Sequence, residues 1–309
     1  MNAHVISVNR SDAKGTPKTP VPSITLTPEG FQGDAHAGVW HRQVSLLSAE
    51  GTERFTARTG RAVKPGDFAE NITTSGFPLE DTRIPDRITI GECELEVTQI
   101  GKACHGDGCT IFREVGQCLM PKEGIFCKVI TPGTIRPGDP IAWTRRELPC
   151  HVLTLSDRAS QGVYADLSGP AVVEALTQHF AGSHWRTGIR ADLIPDDPAR
   201  LSEYVTAASK AGAAILITTG GTGIGPRDIT PDVVRPMLDR EIPGIMEYIR
   251  LTCAAQHPSA VLSRSIAGMI GPMLVFCIPG SRRAATEYMA EIVKNLDHAL
   301  RMICGMDQH

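Results

Sequence analysis

Hydrophobic positions recur along the chain with two different rhythms. Up to about residue 146, apolar residues come in short alternating runs at 44–47, 87–90, 94–100 and 124–130, the spacing of half-buried strands. Between the runs stand Gly33-Asp34, Gly66-Asp67, Pro132-Gly133 and Pro137-Gly138-Asp139, residues that accept the backbone angles of tight turns. Short strands at this spacing predict a β-rich, barrel-like domain. Residues 12–22, carrying Lys14, Gly15, Pro17, Lys18 and Pro20, predict an exposed loop.

Past residues 145–149 the rhythm lengthens. A buried strand is predicted at 152–156, a helix around 172–176, an extended run ending at Leu193-Ile194, a helix at 200–211 and a second buried strand at 214–219. Helices follow at 231–238 and 244–256, with proline in the first turn where a missing N–H does little harm. A strand at 273–278 and an amphipathic helix at 284–302 close the chain. Strands alternating with helices predict an α/β three-layer domain with a mostly parallel sheet, whose ligands bind beyond the carboxyl ends of the strands. The expected division is two domains, 1–147 and 148–309.

Composition narrows the function classes. The 309 residues hold 31 Lys+Arg against 34 Asp+Glu, a net charge of -3, and are 41% hydrophobic. A soluble globular protein is expected, with no general cationic field for nucleic acid or an anionic membrane. The longest apolar stretches fall short of the ~18–20 residues a membrane span needs. The first ten residues lack the apolar run of a secretion signal, so a cytoplasmic protein is expected. Nine cysteines, an odd number, point to reduced thiols rather than a disulfide framework.

The densest chemistry follows the strand at 214–219: Thr219-Gly220-Gly221-Thr222-Gly223-Ile224-Gly225-Pro226-Arg227-Asp228. Its glycines let the backbone turn tightly, and consecutive N–H groups can form an anion-binding concavity. No Lys-Ser or Lys-Thr follows, and G-x-G-x-x-G is not met, so neither a Walker A loop nor a dinucleotide fingerprint is present. The stretch is either a phosphate cradle or a plain structural turn. Asp228 and Asp196 are each placed near a strand end. Together they suit Mg²⁺, which uses one or two protein carboxylates and takes its other ligands from water and substrate phosphates; each could instead cap the next helix. Ser156, Asp157, Ser168, Pro279, Gly280 and Ser281 have rim positions, while Arg264 and Arg282 are expected to be solvated surface arginines.

Residues 155–169 (LSDRASQGVYADLSG), Ile194-Pro195-Asp196, the 219–231 loop and Ile278-Pro279-Gly280-Ser281 together resemble the MogA/MoaB family of molybdopterin adenylyltransferases, over about residues 151–303. The resemblance implies Mg·ATP-dependent adenylylation of molybdopterin with release of pyrophosphate. It makes Asp196 and Asp228 the catalytic, magnesium-holding aspartates, and assigns Thr219, Gly220, Gly221, Thr222 and Gly223 to the phosphates. It also implies a homo-oligomer, a trimer first. The alternative is a non-catalytic carrier of the molybdenum cofactor.

In the first half, Gln99-Ile100-Gly101-Lys102-Ala103-Cys104-His105 sits among glycines, and the successive cysteines Cys104, Cys109, Cys118 and Cys127 contain no C-x-x-C pair, an unconvincing zinc pattern. Cys127 reads as a small core residue. Lys102 and His105 flank Cys104, a setting that could favour thiolate; the bland reading is an inert cysteine. Residues 31–45, 64–72, Cys104 and 135–139 resemble a MOSC domain, over about residues 3–143. That resemblance implies cofactor binding, sulfur transfer or delivery, with molybdenum cofactor as ligand, Cys104 as sulfur carrier or metal-thiolate ligand, and molybdotransferases or molybdoenzymes as partners. His36, His41, Glu70 and Asn71 are its expected pocket residues.

Overall fold

The computed structural model describes residues 2–102, 112–113 and 117–306. The chain divides into two units: Met1–Glu147 with His184–Arg186, and Leu148–Ser183 with Thr187–His309.

In the first unit the strands are β1 (His4–Arg10), β2 (Thr19–Val21), β3 (Ile24–Thr27), β4 (Gly30–Phe31), β5 (Val44–Ser48), β6 (Ile72–Ser75), β7 (Arg87–Ile90), β8 (Cys93–Ile100), β9 (Ile125–Thr131), β10 (Gly133–Ile135) and β11 (Ile141–Thr144). They form an eight-stranded sheet, ordered β11-β7-β8-β9-β5-β6-β1-β2, and a three-stranded sheet, β10-β3-β4. No closed barrel is found among the described residues. Strands β7 and β8 alternate buried and half-buried residues, the signature of one face packed on a core. Helix α1 (Ala49–Thr59) begins where the Ser48 hydroxyl accepts the Gly51 N–H and stops at Gly60, whose φ of 72° ends the helical turn. Its Phe55 packs with Leu47, Phe68, Phe126 and Met120, the last from the short helix α2 (Met120–Glu123). Residues 12–22 are not wholly an exposed loop. Pro20 lies opposite Asn9 in the β1–β2 pair, at a sheet edge where its missing N–H costs nothing, and Lys18 is buried because its ammonium meets Asp34.

The second unit is an α/β domain. Its six-stranded sheet runs β13 (Thr187–Ile194), β12 (Leu148–Leu155), β14 (Ile215–Thr219), β17 (Met273–Ile278), β16 (Ile266–Ile270), β15 (Arg240–Glu241). The first four are parallel, and β16 runs antiparallel to both of its neighbours, β17 and β15. Both faces are covered, which is why β14 and β17 are buried at every position, β17 as an unbroken apolar run and β14 as Ile-Leu-Ile followed by two threonines. Leu153, Leu216 and Val275 point to one face, where they pack against Leu201, Val205 and Ala208 of α5 (Pro198–Lys210) and Val234 of α6 (Thr230–Val234). The other face meets α4 (Ser168–Ala181) and α8 (Arg282–Ile303), which also touch each other. The four-residue helix α3 (Asp157–Ser160) and the twelve-residue helix α7 (Pro243–Ala254) also belong to the unit. The expected helix at 231–238 is cut short: Pro236 lacks an N–H to continue the ladder, and a 3₁₀ turn, Arg235–Met237, replaces the last turn.

Candidate functional site

Register decides where the chemistry gathers. Leu155 lies opposite Ile194, Thr154 opposite Thr219, and Thr219 opposite Ile278, so four parallel strands end on one line. The chain leaving each strand therefore delivers Ser156-Asp157, Pro195-Asp196, Gly220-Gly221 and Pro279-Gly280 to the same rim. A cavity of about 890 Å³ opens there, lined by those segments together with Ser168, Asp228 and Ser281. The volume falls within the ~300–1,000 Å³ of small-molecule sites.

The glycine loop is held by a specific set of bonds. The Gly220 N–H donates to the Ile278 carbonyl (3.0 Å), and Thr230 donates its N–H to the Gly221 carbonyl (3.0 Å) and its hydroxyl to that of Gly220 (2.8 Å). Gly220 and Gly221 have φ of 112° and 62°, the left-handed half of conformational space, and a Cβ on Gly221 would sit 2.5 Å from the Thr230 hydroxyl. A Cβ on Gly280 would come within 2.9 Å of the Gly220 Cα, so these two turns are packed backbone to backbone. Thr219 does not line the cavity: it is fully buried, and its hydroxyl donates to the Pro279 carbonyl (2.9 Å), fixing one turn against the other from behind.

Arg264 is no solvated arginine. Its guanidinium donates to the carbonyls of Gly223 (Nε, 2.7 Å) and Asp228, and to both carboxylate oxygens of Asp232 (2.8 and 3.0 Å), while its backbone N–H donates to the Thr222 carbonyl. The glycine loop is thus strapped to the start of α6. Arg282 does line the cavity.

Three carboxylates stand along the rim. Asp157 and Asp196 are clasped reciprocally, each accepting the other's backbone N–H at 3.1 and 3.0 Å. Asp228 accepts the Gly225 N–H (2.8 Å) and thereby closes the end of the loop. Burial pushes the Asp196 carboxyl up; the Asp157 N–H and Arg227 counter this, and the negative charges of Asp157 and Asp228 add to it. Mutually repelling acids at the mouth of a cavity are the arrangement a divalent cation relieves. No group of three or more His, Cys, Asp or Glu side chains among the described residues is placed to hold a metal ion. The acids present fit one that completes its shell from water and phosphate.

Asp166 was missed as a site residue in the sequence, although it lies inside the motif. One of its oxygens accepts the N–H groups of Ser168 and Gly169 and the Ser168 hydroxyl, and the other accepts the Thr154 hydroxyl at 2.6 Å. It holds the α4 terminus at the cavity edge, and its spacing in Asp-Leu-Ser-Gly was the available signal. Tyr164 adds a hydroxyl 3.0 Å from that of Ser156, with Arg158 over its ring. Across the cavity Cys253 is a poor nucleophile, because burial and the nearby Glu287 and Glu291 charges push its thiol up.

In the first unit, Cys104 lies outside the described residues. The expected companions are placed around Asp34: Asn71 donates to it (3.2 Å), the His36 N–H donates to it (2.9 Å) and Lys18 is 2.5 Å away. Burial would raise the Asp34 carboxyl, but the bonds from His36 and Lys18 outweigh it and hold it far below the ordinary range. His41 is buried, and its carbonyl accepts the Thr98 hydroxyl. Glu70 is completely buried and braces the Gly66 N–H and the Thr73 hydroxyl. Cys127 is a buried thiol pushed up by desolvation, as befits a core residue.

Residues 151–298 match the family model described as "Probable molybdopterin binding domain", and residues 33–142 match the MOSC domain model. The chain is 33% identical over 157 residues to gephyrin of Dictyostelium discoideum, covering 49% of this chain and 22% of that protein. It is 34% identical over 155 residues to molybdopterin adenylyltransferase of Pyrococcus furiosus, covering 48% of this chain and 88% of that protein. A solved structure of MogA is 34% identical and covers 50% of this chain and 99% of its own, with a TM-score of 0.47. The chain spans 22%, 25% and 47% of the length of gephyrin, of the Drosophila melanogaster cofactor-synthesis protein cinnamon and of a bifunctional cofactor-biosynthesis protein of Synechococcus elongatus.

Proposed function

We propose, for a chain that belongs through its C-terminal half to the molybdopterin-binding MogA/MoaB family and carries a MOSC domain ahead of it, that the second unit is a molybdopterin adenylyltransferase in molybdenum cofactor biosynthesis. A terminal phosphate oxygen of molybdopterin forms a bond to the α-phosphorus of ATP; the bond to the bridging oxygen breaks and its electron pair leaves with pyrophosphate. The observation that carries this reading is the alignment of four strand ends, which sets a bare-backbone loop opposite a clasped pair of acids on one cavity.

In this reading Gly220, Gly221, Thr222 and Gly223 cradle phosphates with backbone N–H groups, and Asp196 and Asp228 hold Mg²⁺. The metal would supply charge neutralisation at the reacting phosphates. The chain itself supplies position. Gly280 and Ser281 close the cradle from the neighbouring strand, Ser168 and Ser156 offer hydroxyls at the rim, and Asp157 keeps Asp196 in place through their mutual clasp. Transfer between phosphates asks mainly for alignment and preorganised charge, which fixed backbone dipoles provide.

Mixing the protein with molybdopterin and Mg·ATP should release pyrophosphate, while Asp228→Asn should lower the rate by about 10²-fold or more with pterin binding largely retained. Binding without pyrophosphate release would leave only a carrier. For the first unit we propose cofactor binding, sulfur transfer or delivery; Cys104→Ala should remove that role without touching adenylyl transfer. A homo-oligomer, with a trimer as the form the family resemblance implies, is part of the same proposal; Tyr248 and Leu251 of α7 and the adjoining Val261 and Leu262, all exposed, offer apolar surface for an interface of any stoichiometry. No helix among the described residues is long and apolar enough to cross a membrane.

A further inference from the structure

We propose that β13 is a docking edge for a second copy of this chain: two β13 strands pair antiparallel about a two-fold axis at Ala191 and join two six-stranded sheets into one. β13 is the outermost strand of its sheet, and β12 occupies only one of its sides. Among the described residues, no backbone hydrogen bond links residues 187–193 to anything beyond the β12 ladder. The opposite edge, β15, is two residues long, whereas β13 runs for eight. None of those eight is buried, although every residue of β14 and β17 is.

A long edge with open N–H and C=O groups is a template for another strand. Proteins that keep such an edge solitary shorten it, bulge it, or set proline or repelling charges on it. β13 has none of these guards. It holds register with β12 from Thr187 to Ile194 without a bulge, contains no proline, and its two charges, Arg190 and Asp192, are of opposite sign.

Alternation sorts the side chains between two faces. Arg190 and Asp192 lie on the face covered by α5, where Asp192 accepts the Tyr204 hydroxyl (2.6 Å) and the Arg190 Nε–H (2.6 Å). The Arg190 guanidinium and the Tyr204 hydroxyl hold the Asp192 carboxyl below the usual carboxylate range, so both charges are present at neutral pH. Ile189, Ala191 and Leu193 lie on the other face, the first half-buried and the other two exposed. Single exposed apolar residues need no explanation, but these three form a row along the edge.

Both faces are complementary to themselves. In antiparallel alignment centred on Ala191, Arg190 stands opposite the partner's Asp192, Ile189 opposite the partner's Leu193, and Ala191 opposite the partner's Ala191. Each of the first two pairs occurs twice, as an isologous two-fold interface requires. Other registers fail: a shift by one residue sets Ile189 against the partner's Asp192, and an in-register parallel alignment sets like charges side by side. Exposed ion pairs contribute little. The backbone ladder and the apolar row hold the copies together, while the charges select the register. The edge is separate from the exposed surface of α7, which packs against β16 on the far side of the sheet, and the inference is independent of the adenylyltransferase reading.

The test is the particle mass of the full chain, by sedimentation velocity and light scattering. An even multiple of the chain mass is expected: two copies, or six if the α7 surface also builds a trimer. Leu193→Lys and Arg190→Asp, both at exposed positions, should each halve that mass. Mixing Arg190→Asp with Asp192→Arg, whose edges are wholly acidic and wholly basic, should restore it. Position 191 alone meets itself, so mild oxidation of Ala191→Cys should link two chains above the wild-type background, and that of Leu193→Cys should not. Mass and cross-linking are read without substrates, so failure of the adenylyltransferase reading leaves them standing. A wild-type mass that is an odd multiple of the chain mass, an even mass unchanged by both Leu193→Lys and Arg190→Asp, or equal linking at 191 and 193 would overturn the proposal.

Discussion

Arg264 holds the glycine loop at two carbonyls and α6 at one carboxylate, so a single side chain sets the distance between the phosphate cradle and Asp228. Arg264→Gln should lower kcat/KM by about 10- to 100-fold, the worth of one or two charge-assisted hydrogen bonds, with Arg264→Lys recovering part of it. A rise in KM for ATP larger than the fall in kcat would place the effect in the cradle, and steady-state kinetics of both variants measure it. The sequence left this residue as a solvated surface arginine, because the partners of its guanidinium lie 32 to 41 positions away. Asp157 and Asp196 were legible as strand-end acids; their reciprocal clasp was not, since it depends on two parallel strands ending level. Glu70 makes a prediction about pH. Its carboxyl is raised by burial, against bonds from Gly66 and Thr73, so the folded protein binds a proton more tightly there than the unfolded chain does. The resulting stabilisation is present below the ordinary glutamate range and is lost as pH rises from that range through the raised value. Glu70→Gln, which imitates the protonated acid, should abolish that decline and be the more stable protein at alkaline pH, as denaturant titrations across pH would report.

At the scale of elements, what could be read ahead was whatever both faces of a sheet dictate. The run at 273–278 is apolar at every position and that at 214–219 at its first four, as strands covered by helices on both sides can be, and they became the two central strands β14 and β17. The edges were harder. β16 is read as a strand only once Gly271-Pro272 is seen to return the chain antiparallel onto β17, and β15 is two residues long. In the first unit the pairing of β2 with β1 contradicts local composition, because prolines at a sheet edge lose nothing. The loop after β14 is rigid by construction. Gly221→Ala would force a Cβ to 2.5 Å from the Thr230 hydroxyl at a φ of 62°, and left-handed backbone alone costs about 1–2 kcal/mol. A loss of about 2 kcal/mol or more, read as a lower Tm together with lost adenylyl transfer, is expected; a variant as stable and active as wild type would mean that the loop relaxes freely.

For the whole molecule, the informative fact is that every residue lining the 890 Å³ cavity belongs to the second unit. A chain confined to residues 148–309 that folds should therefore transfer adenylyl groups with kcat within about twofold of the full protein, measured by pyrophosphate release; a larger drop would show that the first unit contributes to the chemistry. The change of rhythm near residue 147 was visible because alternation and helical spacing cannot be confused over whole domains. The contents of the first unit were less so, since Lys18, Asp34 and Asn71 come together from separate parts of the chain. One consequence follows from a complete cavity sharing a polypeptide with a second module. Translation makes one copy of each every time, so their cellular ratio is locked at parity whatever the level of expression. If the second unit assembles threefold, each particle displays the first in triplicate, with no separate gene dosage to balance.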